Sequence, residues 1–507
     1  MADTRAMTSD IVSVRSATST IKEASGPLAI EAGFKTEKAS DPYLVLFDEN
    51  DPLDPKNLSV ARKWYLTAIA ALLVLNCTFA SATPSNIIPL LREEFGFSEE
   101  VGILTISLFV CGYIVGPLLW GPLSETYGRR PVFVGSFFVY MCFQIGCALA
   151  KNTASILVFR LLGGIFAAAP LANSGAVLSD IWDAKTRGNA MTLFTVAPFA
   201  GPGVGPLVAG YIAVAGISWR WLFWIMAIFA GICWLLIVFT VPETYAPVIL
   251  TKKAKSLRKS TGDSQYYSAM EARVLTFAER FEHILARPFV ILFQEPMLIA
   301  ITAYISFVYG CMYLLFEAYP IVFTEGHHLN LGQSGLMFLP LPIGGIISVI
   351  LYIIFINPRY AKKVEEYAPA PVPPEARLEI ALLAAPFFAI SFFWFAWTSY
   401  PSISLWAPMM SGVLLGISIC WIFLSLLNYI IDAYLIAAAS ALSANTIVRS
   451  CFGAGFPLFA TQMYEKLGSQ WASTLLGCLA TVMIPIPFIL VKYGPKLRAK
   501  SKFAPSA

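Results

Sequence analysis

Long apolar runs alternate with short polar breaks from Trp64 almost to the end of the chain. Each run holds about 20 residues or more, which is the length that an α-helix needs to cross the hydrocarbon core of a bilayer. The pattern predicts an all-α membrane protein with twelve spanning helices, six on each side of a long polar segment. The predicted spans are 64–84, 101–120, 132–150, 154–178, 190–214, 219–241, 297–323, 334–356, 378–397, 407–431, 437–463 and 471–493.

The polar segments divide the chain into domains. Residues 1–60 are rich in Ser, Thr, Ala and charge and lack the basic-then-apolar order of a cleavable signal peptide, so we expect a disordered tail. Residues 61–241 are predicted to form one six-helix lobe and residues 297–493 a second. Residues 242–296 link the lobes, and 494–507 form a C-terminal tail.

Lysine and arginine are distributed unevenly over the loops. The loops on the side of the N-terminus hold 24 of these residues and the loops on the other side hold four. Positively charged loops stay on the cytosolic side of a membrane, so both termini and the linker are predicted to be cytosolic. We expect the plasma membrane as the location, with the vacuolar membrane as the alternative.

Composition excludes several classes of function. Only 13% of residues are charged and 57% are hydrophobic, whereas soluble proteins carry roughly 25% charged residues. A formal net charge of +4 does not indicate a nucleic-acid binder. The sequence shows no CxxC pair, no Cys/His cluster and no nucleophile with its base inside a span, so neither a metal site nor an enzyme is expected.

The break between the second and third spans carries an acid and two arginines between glycines. Charge-assisted bonds among them can hold the cytosolic ends of helices together in one conformation and release them in another. The segment resembles the signature loop of the major facilitator superfamily, although Thr126 replaces the arginine usual there. The residues predicted to form this conformational latch are Gly121, Glu125, Gly128, Arg129 and Arg130.

The fifth span is rich in glycine and proline. Gly201 and Gly205 are four residues apart on one helix face, where missing side chains allow a close approach of another helix, and prolines bend the helix. With Pro206 and Gly210, this stretch resembles the motif that marks antiporters within the superfamily. The alternative is a helix that serves packing alone.

Three further stretches, Asp51–Asn57, Pro242–Leu250 and Asn428–Tyr434, resemble fungal members of the twelve-spanning drug:proton antiporter family. The resemblance implies two pseudo-symmetric six-helix lobes that rock about a central cavity. It also implies export of a drug, polyamine or secondary metabolite in exchange for protons.

Arg160, in the fourth span, matches the membrane-embedded arginine motif of the same superfamily. A cation at that depth is costly unless it is paired or hydrated. One interpretation is that Arg160 lines the transport cavity, binds substrate and helps the proton to move. The other is a structural clamp onto backbone carbonyls.

A proton-coupled exporter needs a titratable group, and the spans offer few carboxylates. Glu317 follows Tyr309 and Tyr313 at spacings of four, so the three side chains share one helix face. Glu317 is the first candidate for proton coupling, with a helix-capping role as the alternative. Asp432 is the second candidate, or a gate residue, because it lies near the cytosolic end of its span.

Other polar and aromatic side chains in the spans are candidates for substrate binding. Trp421, Asn428 and Asp432 share one face of the tenth span. Arg449 is expected near mid-membrane, where it either binds substrate or balances an acid, and Asn76 is a neutral polar group in the first span. The predicted substrate-binding residues are Asn76, Arg160, Tyr309, Tyr313, Glu317, Trp421, Asn428 and Arg449.

The resulting hypothesis is a monomeric transporter in the lipid bilayer that exports a small amphipathic or cationic molecule. The proton gradient supplies the energy, and no cofactor and no nucleic acid is involved. One alternative is an organic-acid or metabolite facilitator, in which Arg160 and Arg449 bind an anion. The alternative from another class is a membrane sensor that keeps the fold without transport.

Overall fold

The computed structural model describes residues 41–183, 186–272, 277–368 and 372–504, and these residues are almost entirely helical. The all-α fold expected from the apolar pattern is therefore confirmed. The prediction of disorder for residues 1–40 lies outside the described residues.

Within these ranges, eleven continuous helical elements are long and apolar enough to cross a membrane. The last of them, Ala438–Lys500, spans 63 residues and is broken at Gly468, whose φ of 78° is not helical. Counted as two helices, it brings the number of spans to the predicted twelve. The spanning helices are α1 (Val60–Ala82), α2 (Glu99–Tyr127), α3 (Arg129–Ala148), α4 (Thr153–Ile181), α5 (Arg187–Val214), α6 (Arg220–Thr240), α7 (Pro296–Tyr319), α8 (Leu331–Tyr367), α9 (Glu379–Thr398), α10 (Trp406–Tyr434), α11 (438–467) and α12 (469–498).

Prolines bend several of these helices because proline has no N–H to donate along the helix. After α1, Pro84 lies in a 3₁₀ turn, Thr83–Ile87, and the short helix Ile88–Phe95 follows. The helix α5 is interrupted just before Pro198, and α8 just before Pro340.

Two six-helix lobes, α1–α6 and α7–α12, face each other. Between them, α2 packs along α11 and α5 packs along α8. These two contacts are equivalent, because α8 occupies in the second lobe the place of α2 in the first, and α11 that of α5. The contacts therefore have the pseudo-twofold arrangement that repeated halves produce.

Large apolar side chains cover the outside of the bundle. Phe239 is 79% exposed and Val482 is 75% exposed, and many other isoleucines, leucines and phenylalanines are exposed as well. A continuous apolar surface of this kind requires lipid around it, and the helices satisfy their own backbone hydrogen bonds as the bilayer demands. The chain is a multi-pass membrane protein.

The two ends of the bundle are named by the segments that they carry. The end with the helix Ala246–Thr261 is called the linker face, and the end with the turn 215–219 between α5 and α6 is called the opposite face. The C-terminal segment lies on the linker face, where the Ser501 hydroxyl donates to the Glu295 carboxylate at 2.8 Å.

Residues 41–59, here called the strap, pack against the linker. The backbone of Leu44 forms a single β bridge with Tyr267. The Lys253 ammonium pairs with Asp48 at 3.0 Å and with Asp51 at 2.6 Å. The prediction of disorder is wrong for this segment, because the partner of its acids lies about 200 residues away and local composition does not reveal it.

Replacement of Lys253 with alanine is expected to release the strap. The hydrogen bond from Lys253 lowers the pKa of Asp51, so this pair stabilises the strap above the ordinary aspartate pKa of about 3.9. The stabilisation is lost as the pH falls through the lowered value. Hydrogen exchange of the strap amides should become about tenfold faster in Lys253→Ala at pH 7. If the strap amides exchange equally slowly in Lys253→Ala and in a control, Lys252→Ala, the ion pair does not hold the strap.

Candidate functional site

The lobes meet at the centre of the bundle through α1 and α7. The Ser81 and Tyr313 hydroxyls are 2.7 Å apart, and the Tyr309 hydroxyl donates to that of Tyr313 at 3.5 Å. The two tyrosines belong to the predicted site. Ser81 does not, because a serine in an apolar span carries no signal that sets it apart. A hydroxyl pair between lobes can form in one conformation and break in another.

Arg449 lies beside this contact, among aromatic rings. Its guanidinium carbon is 4.8 Å from the ring centre of Tyr309 and 5.6 Å from that of Phe423. Phe423 in turn meets Phe199 of the first lobe edge-on, with ring centres 5.1 Å apart. We call Phe199, Tyr309 and Phe423 the aryl cluster. The structure thus brings Tyr309, Tyr313 and Arg449 together.

Arg160 is a structural clamp within the first lobe. Its Nε donates to the carbonyl of Thr105 at 2.6 Å, Nη1 to Ala80 at 2.9 Å and Nη2 to Ser81 at 3.3 Å. The carbonyl of Ala80 has no helical donor four residues on, because Pro84 has no N–H, and the guanidinium takes that place. This geometry matches the second interpretation, a clamp onto backbone carbonyls, and the role of Arg160 in substrate binding or proton movement stays a prediction.

Asn76 also faces the interior of the first lobe. Its Oδ1 accepts from the Tyr140 hydroxyl at 2.9 Å, and its Nδ2 contacts the Cys233 sulfur at 3.8 Å. The side chain is 1% exposed. Both ends of its amide thus have partners, on α3 and α6, and the role of Asn76 in substrate binding stays a prediction.

The predicted polar face of α10 points into the second lobe. The Trp421 indole donates to the carbonyl of Ser348 on α8 at 3.0 Å, and the Asn428 amide donates to Leu424 of its own helix at 2.7 Å. Neither hydrogen bond reaches the first lobe, and the role of both residues in substrate binding stays a prediction. Phe423 follows Trp421 by two residues, about 200° around the helix, and therefore faces the first lobe instead.

Asp432 lies near the linker face and forms an ion pair with Arg377 at 2.8 Å. Arg187 of the first lobe is within electrostatic range of this carboxylate. The position matches a gate between the lobes. The role of Asp432 in proton coupling stays a prediction.

Glu317 is buried on α7, near the opposite face of the bundle. The side chain is 8% exposed, and its Oε1 has no hydrogen-bond partner in the described part of the chain. Glu99, at the start of α2 in the other lobe, is within electrostatic range. Glu317 therefore lies between the lobes, one helical turn beyond Tyr313.

The latch segment forms a network, but with different acids than the sequence predicts. Arg129 Nε pairs with Asp180 of α4 at 3.2 Å. The backbone N–H groups of Arg129 and Arg130 donate to the Glu243 carboxylate at 2.8 and 3.3 Å, so Glu243 caps the start of α3. Glu125 forms no hydrogen bond or ion pair within the described residues but is within electrostatic range of Arg129, and its role in the latch stays a prediction.

The two latch glycines differ in what surrounds them. Gly128 has a φ of 104°, and a Cβ there would overlap the Glu243 carboxylate. Gly121 has open space around its Cα. Gly128 is therefore required by both backbone conformation and close packing, whereas an alanine would fit at Gly121.

Removal of the Asp180 charge is expected to loosen the linker face. In Asp180→Asn the charge-assisted bond to Arg129 is lost, so the ratio of conformations should change about tenfold. Spin-label distances between the lobes at the linker face measure this ratio. Glu125→Gln is the matched control and should leave the distances unchanged. A shift in Glu125→Gln without one in Asp180→Asn would contradict the observed network.

The glycines of α5 permit close contact on two sides. A Cβ on Gly201 would press against Thr78 of α1, and one on Gly205 against Thr83 in the turn that follows α1. A Cβ on Gly210 would overlap the backbone carbonyl of Leu331 at the start of α8. The same motif therefore serves packing within the first lobe and contact between the lobes.

Asn86 completes the closure at the opposite face. Its amide nitrogen donates to the carbonyl of Pro206 at 2.9 Å and to that of Leu331 at 3.2 Å. One side chain of the first lobe thus links α5 to α8 of the second. Together with the contact at Gly210, this bond shuts the bundle near the opposite face.

Comparisons with known proteins agree with this architecture. The sequence model of the Major Facilitator Superfamily matches residues 69–457. The efflux pump FUBT of Fusarium oxysporum is 42% identical over 468 residues, which cover 92% of this chain and 78% of the pump. The multidrug transporter mdrA of Aspergillus fumigatus is 41% identical and is covered to 76%, again by 92% of this chain. Among solved structures, the proton:xylose symporter XylE of E. coli has a TM-score of 0.60 at 16% identity, covering 86% of this chain and 96% of XylE.

Proposed function

The chain belongs to the Major Facilitator Superfamily, and we propose that it exports a small amphipathic molecule in exchange for protons by alternating access. It is a membrane transporter and not an enzyme, and its fungal relatives include efflux pumps and a multidrug transporter. The proposal adds three points to this: the coupling to protons, the direction of the conformational cycle and the nature of the cargo.

The first step of the proposed cycle loads cargo from the linker face. The 24 basic residues in the loops of that side, against four on the other, support a cytosolic linker face. Closure by Asn86 and Gly210 at the opposite face blocks the external side in this conformation. Release then requires that the α5–α8 contact opens and that the lobes approach each other at Asp432 and Arg187, as rocking lobes do.

The observation that carries the proposal is the buried Glu317 carboxylate, whose Oε1 has no hydrogen-bond partner among the described residues. In an apolar site a carboxylate is stable when protonated, and it gives up the proton when a conformational change brings water to it. Its position between the lobes exposes it to such a change. Glu317 would take a proton from outside and release it to the cytosol.

The remaining parts of the proposal are the oligomeric state, the membrane and the source of energy. The protein works as a monomer in a lipid bilayer, most simply in the plasma membrane. A proton gradient supplies the energy, and neither a cofactor nor a nucleic acid takes part.

Flux into inside-out vesicles tests the proposal. A labelled polyamine, a labelled azole and labelled 2-naphthoate are offered under a proton gradient, with and without an uncoupler. Uncoupler-sensitive accumulation of any of them supports antiport. If a labelled compound equilibrates across the membrane independently of the proton gradient, the protein is a facilitator. If a compound binds without flux, the protein is a sensor.

A further inference from the structure

Arg449 differs from three other arginines that lie between the helices. Arg160 donates to three backbone carbonyls, Arg129 pairs with Asp180, and Arg377 pairs with Asp432. Arg449 forms no hydrogen bond or ion pair within the described residues, and its Nε is buried without an acceptor. An unpaired cation at this depth is costly, so the protein retains a charge there that its own side chains leave unbalanced.

The neighbours of Arg449 are neutral. On α7, Tyr309 and Tyr313 face it, and on α10 Phe423 does. One turn away on α11, Asn445 donates to the Thr302 hydroxyl at 3.3 Å while its Oδ1 has no partner. The guanidinium therefore has aromatic faces beside it and no acid among its described contacts.

The aryl cluster also connects Arg449 to both lobes. Phe199 belongs to α5 of the first lobe, and its ring meets Phe423 of the second. On the other side, Tyr309 donates to Tyr313, which bonds Ser81 of the first lobe. A ligand at Arg449 would touch residues of both lobes through these rings, as a cargo site in an alternating-access transporter must.

We propose that Arg449 and the aryl cluster bind the carboxylate of an aromatic or amphipathic anion, which is the cargo. This inference rests on the proposed function and specifies the chemical class of the exported molecule. A guanidinium offers two parallel N–H groups to a carboxylate, and flat rings beside it stack on the apolar part of the same molecule.

A cationic cargo is disfavoured at the same place. Aromatic rings can hold a cation, but the rings of Tyr309 and Phe423 already face the guanidinium of Arg449. A second positive charge would be repelled within a medium that screens poorly. The cationic cargo in the sequence-based hypothesis is thus replaced by an anion.

Binding of three matched probes tests the proposal. The full chain, in nanodiscs of uncharged lipid at pH 7.5, is titrated with 2-naphthoate, 2-naphthamide and 2-naphthylmethylammonium, which share a ring and differ in charge. The carboxylate should bind about ten- to hundredfold more tightly than the amide. Equal affinities, tighter binding of the ammonium, or no binding of the carboxylate would overturn the proposal.

Two variants and a control assign the preference to Arg449. Arg449→Gln should lose the preference for carboxylate over amide, and Arg449→Lys should keep part of it. Arg92→Gln, at a surface arginine paired with Glu99 at 3.0 Å, should keep all of it. A preference that persists in Arg449→Gln would overturn the assignment, and if that variant does not fold, the probe comparison in the unaltered chain still decides the charge of the cargo.

The binding assay separates this inference from the proposed function because it uses no gradient. Carboxylate preference without proton-driven flux would support the site and refute antiport. Proton-driven flux of the polyamine, with no carboxylate binding, would refute the site and leave antiport standing.

Discussion

Replacement of Gly210 with alanine is expected to open the bundle at the opposite face. The added Cβ would overlap the backbone carbonyl oxygen of Leu331, and neither backbone can move without separating α5 from α8. Overpacking of this kind costs about 1–3 kcal/mol. If the cost falls on the closed conformation alone, the ratio of the two conformations changes about 5- to 150-fold. Spin-label distances across the lobes at this face, and the rate of export, measure the change.

Gly135→Ala is the matched control for this experiment. Gly135 is also a helical glycine, but a Cβ there would meet no atom within 4 Å. Both substitutions raise helix propensity by about 1 kcal/mol, so the difference between them isolates the overlap with α8. Equal distance distributions in the two variants would show that the contact at Gly210 does not hold the lobes closed.

The fold could be predicted from the sequence because the bilayer imposes a simple rule on apolar length. The twelve spans follow from runs of about 20 apolar residues. What the rule does not give is the ends of the helices. The helix α8 continues for a polar stretch to Tyr367, and α12 continues to residue 498, because polar helix ends extend beyond the apolar core.

The site could be predicted only in part, because helical spacing shows which residues share a face but not what that face meets. Tyr309, Tyr313 and Glu317 share a face that does meet the other lobe. Trp421 and Asn428 share a face that meets α8 and its own helix instead. The sequence spacing is the same kind of evidence for both faces, and only tertiary packing shows which of them meets the other lobe.

The latch shows the same limit for charges. The arginines at Arg129 and Arg130 were evident from the local motif, but the acids that they meet, Asp180 and Glu243, lie 51 and 114 residues from Arg129. Asp180 had a weak signal as an acid at the end of an apolar span. Glu243 had a stronger one, because it belongs to a stretch that resembles the fungal antiporter family.

Replacement of Glu317 with glutamine is expected to uncouple export from the proton gradient. The two side chains have nearly the same shape, so the fold should persist, but glutamine cannot gain or lose a proton. Gradient-driven flux should fall about a hundredfold or more, the lower end of what a positioned proton-transfer group contributes. Exchange of labelled for unlabelled cargo without a gradient should continue, because it needs only cargo binding and the movement of the lobes.

Proton release is the second measurement of the role of Glu317. The variant Glu325→Gln is the control for Glu317→Gln. Addition of cargo to the detergent-solubilised chain should release protons from the original protein and fewer from Glu317→Gln, measured with a pH dye in weak buffer. Glu325 lies just beyond α7 and is exposed, so its replacement should change neither readout. Unchanged gradient-driven flux in Glu317→Gln would refute the assignment. That outcome would leave Asp432, which pairs with Arg377 at 2.8 Å, as the remaining candidate for the coupling acid.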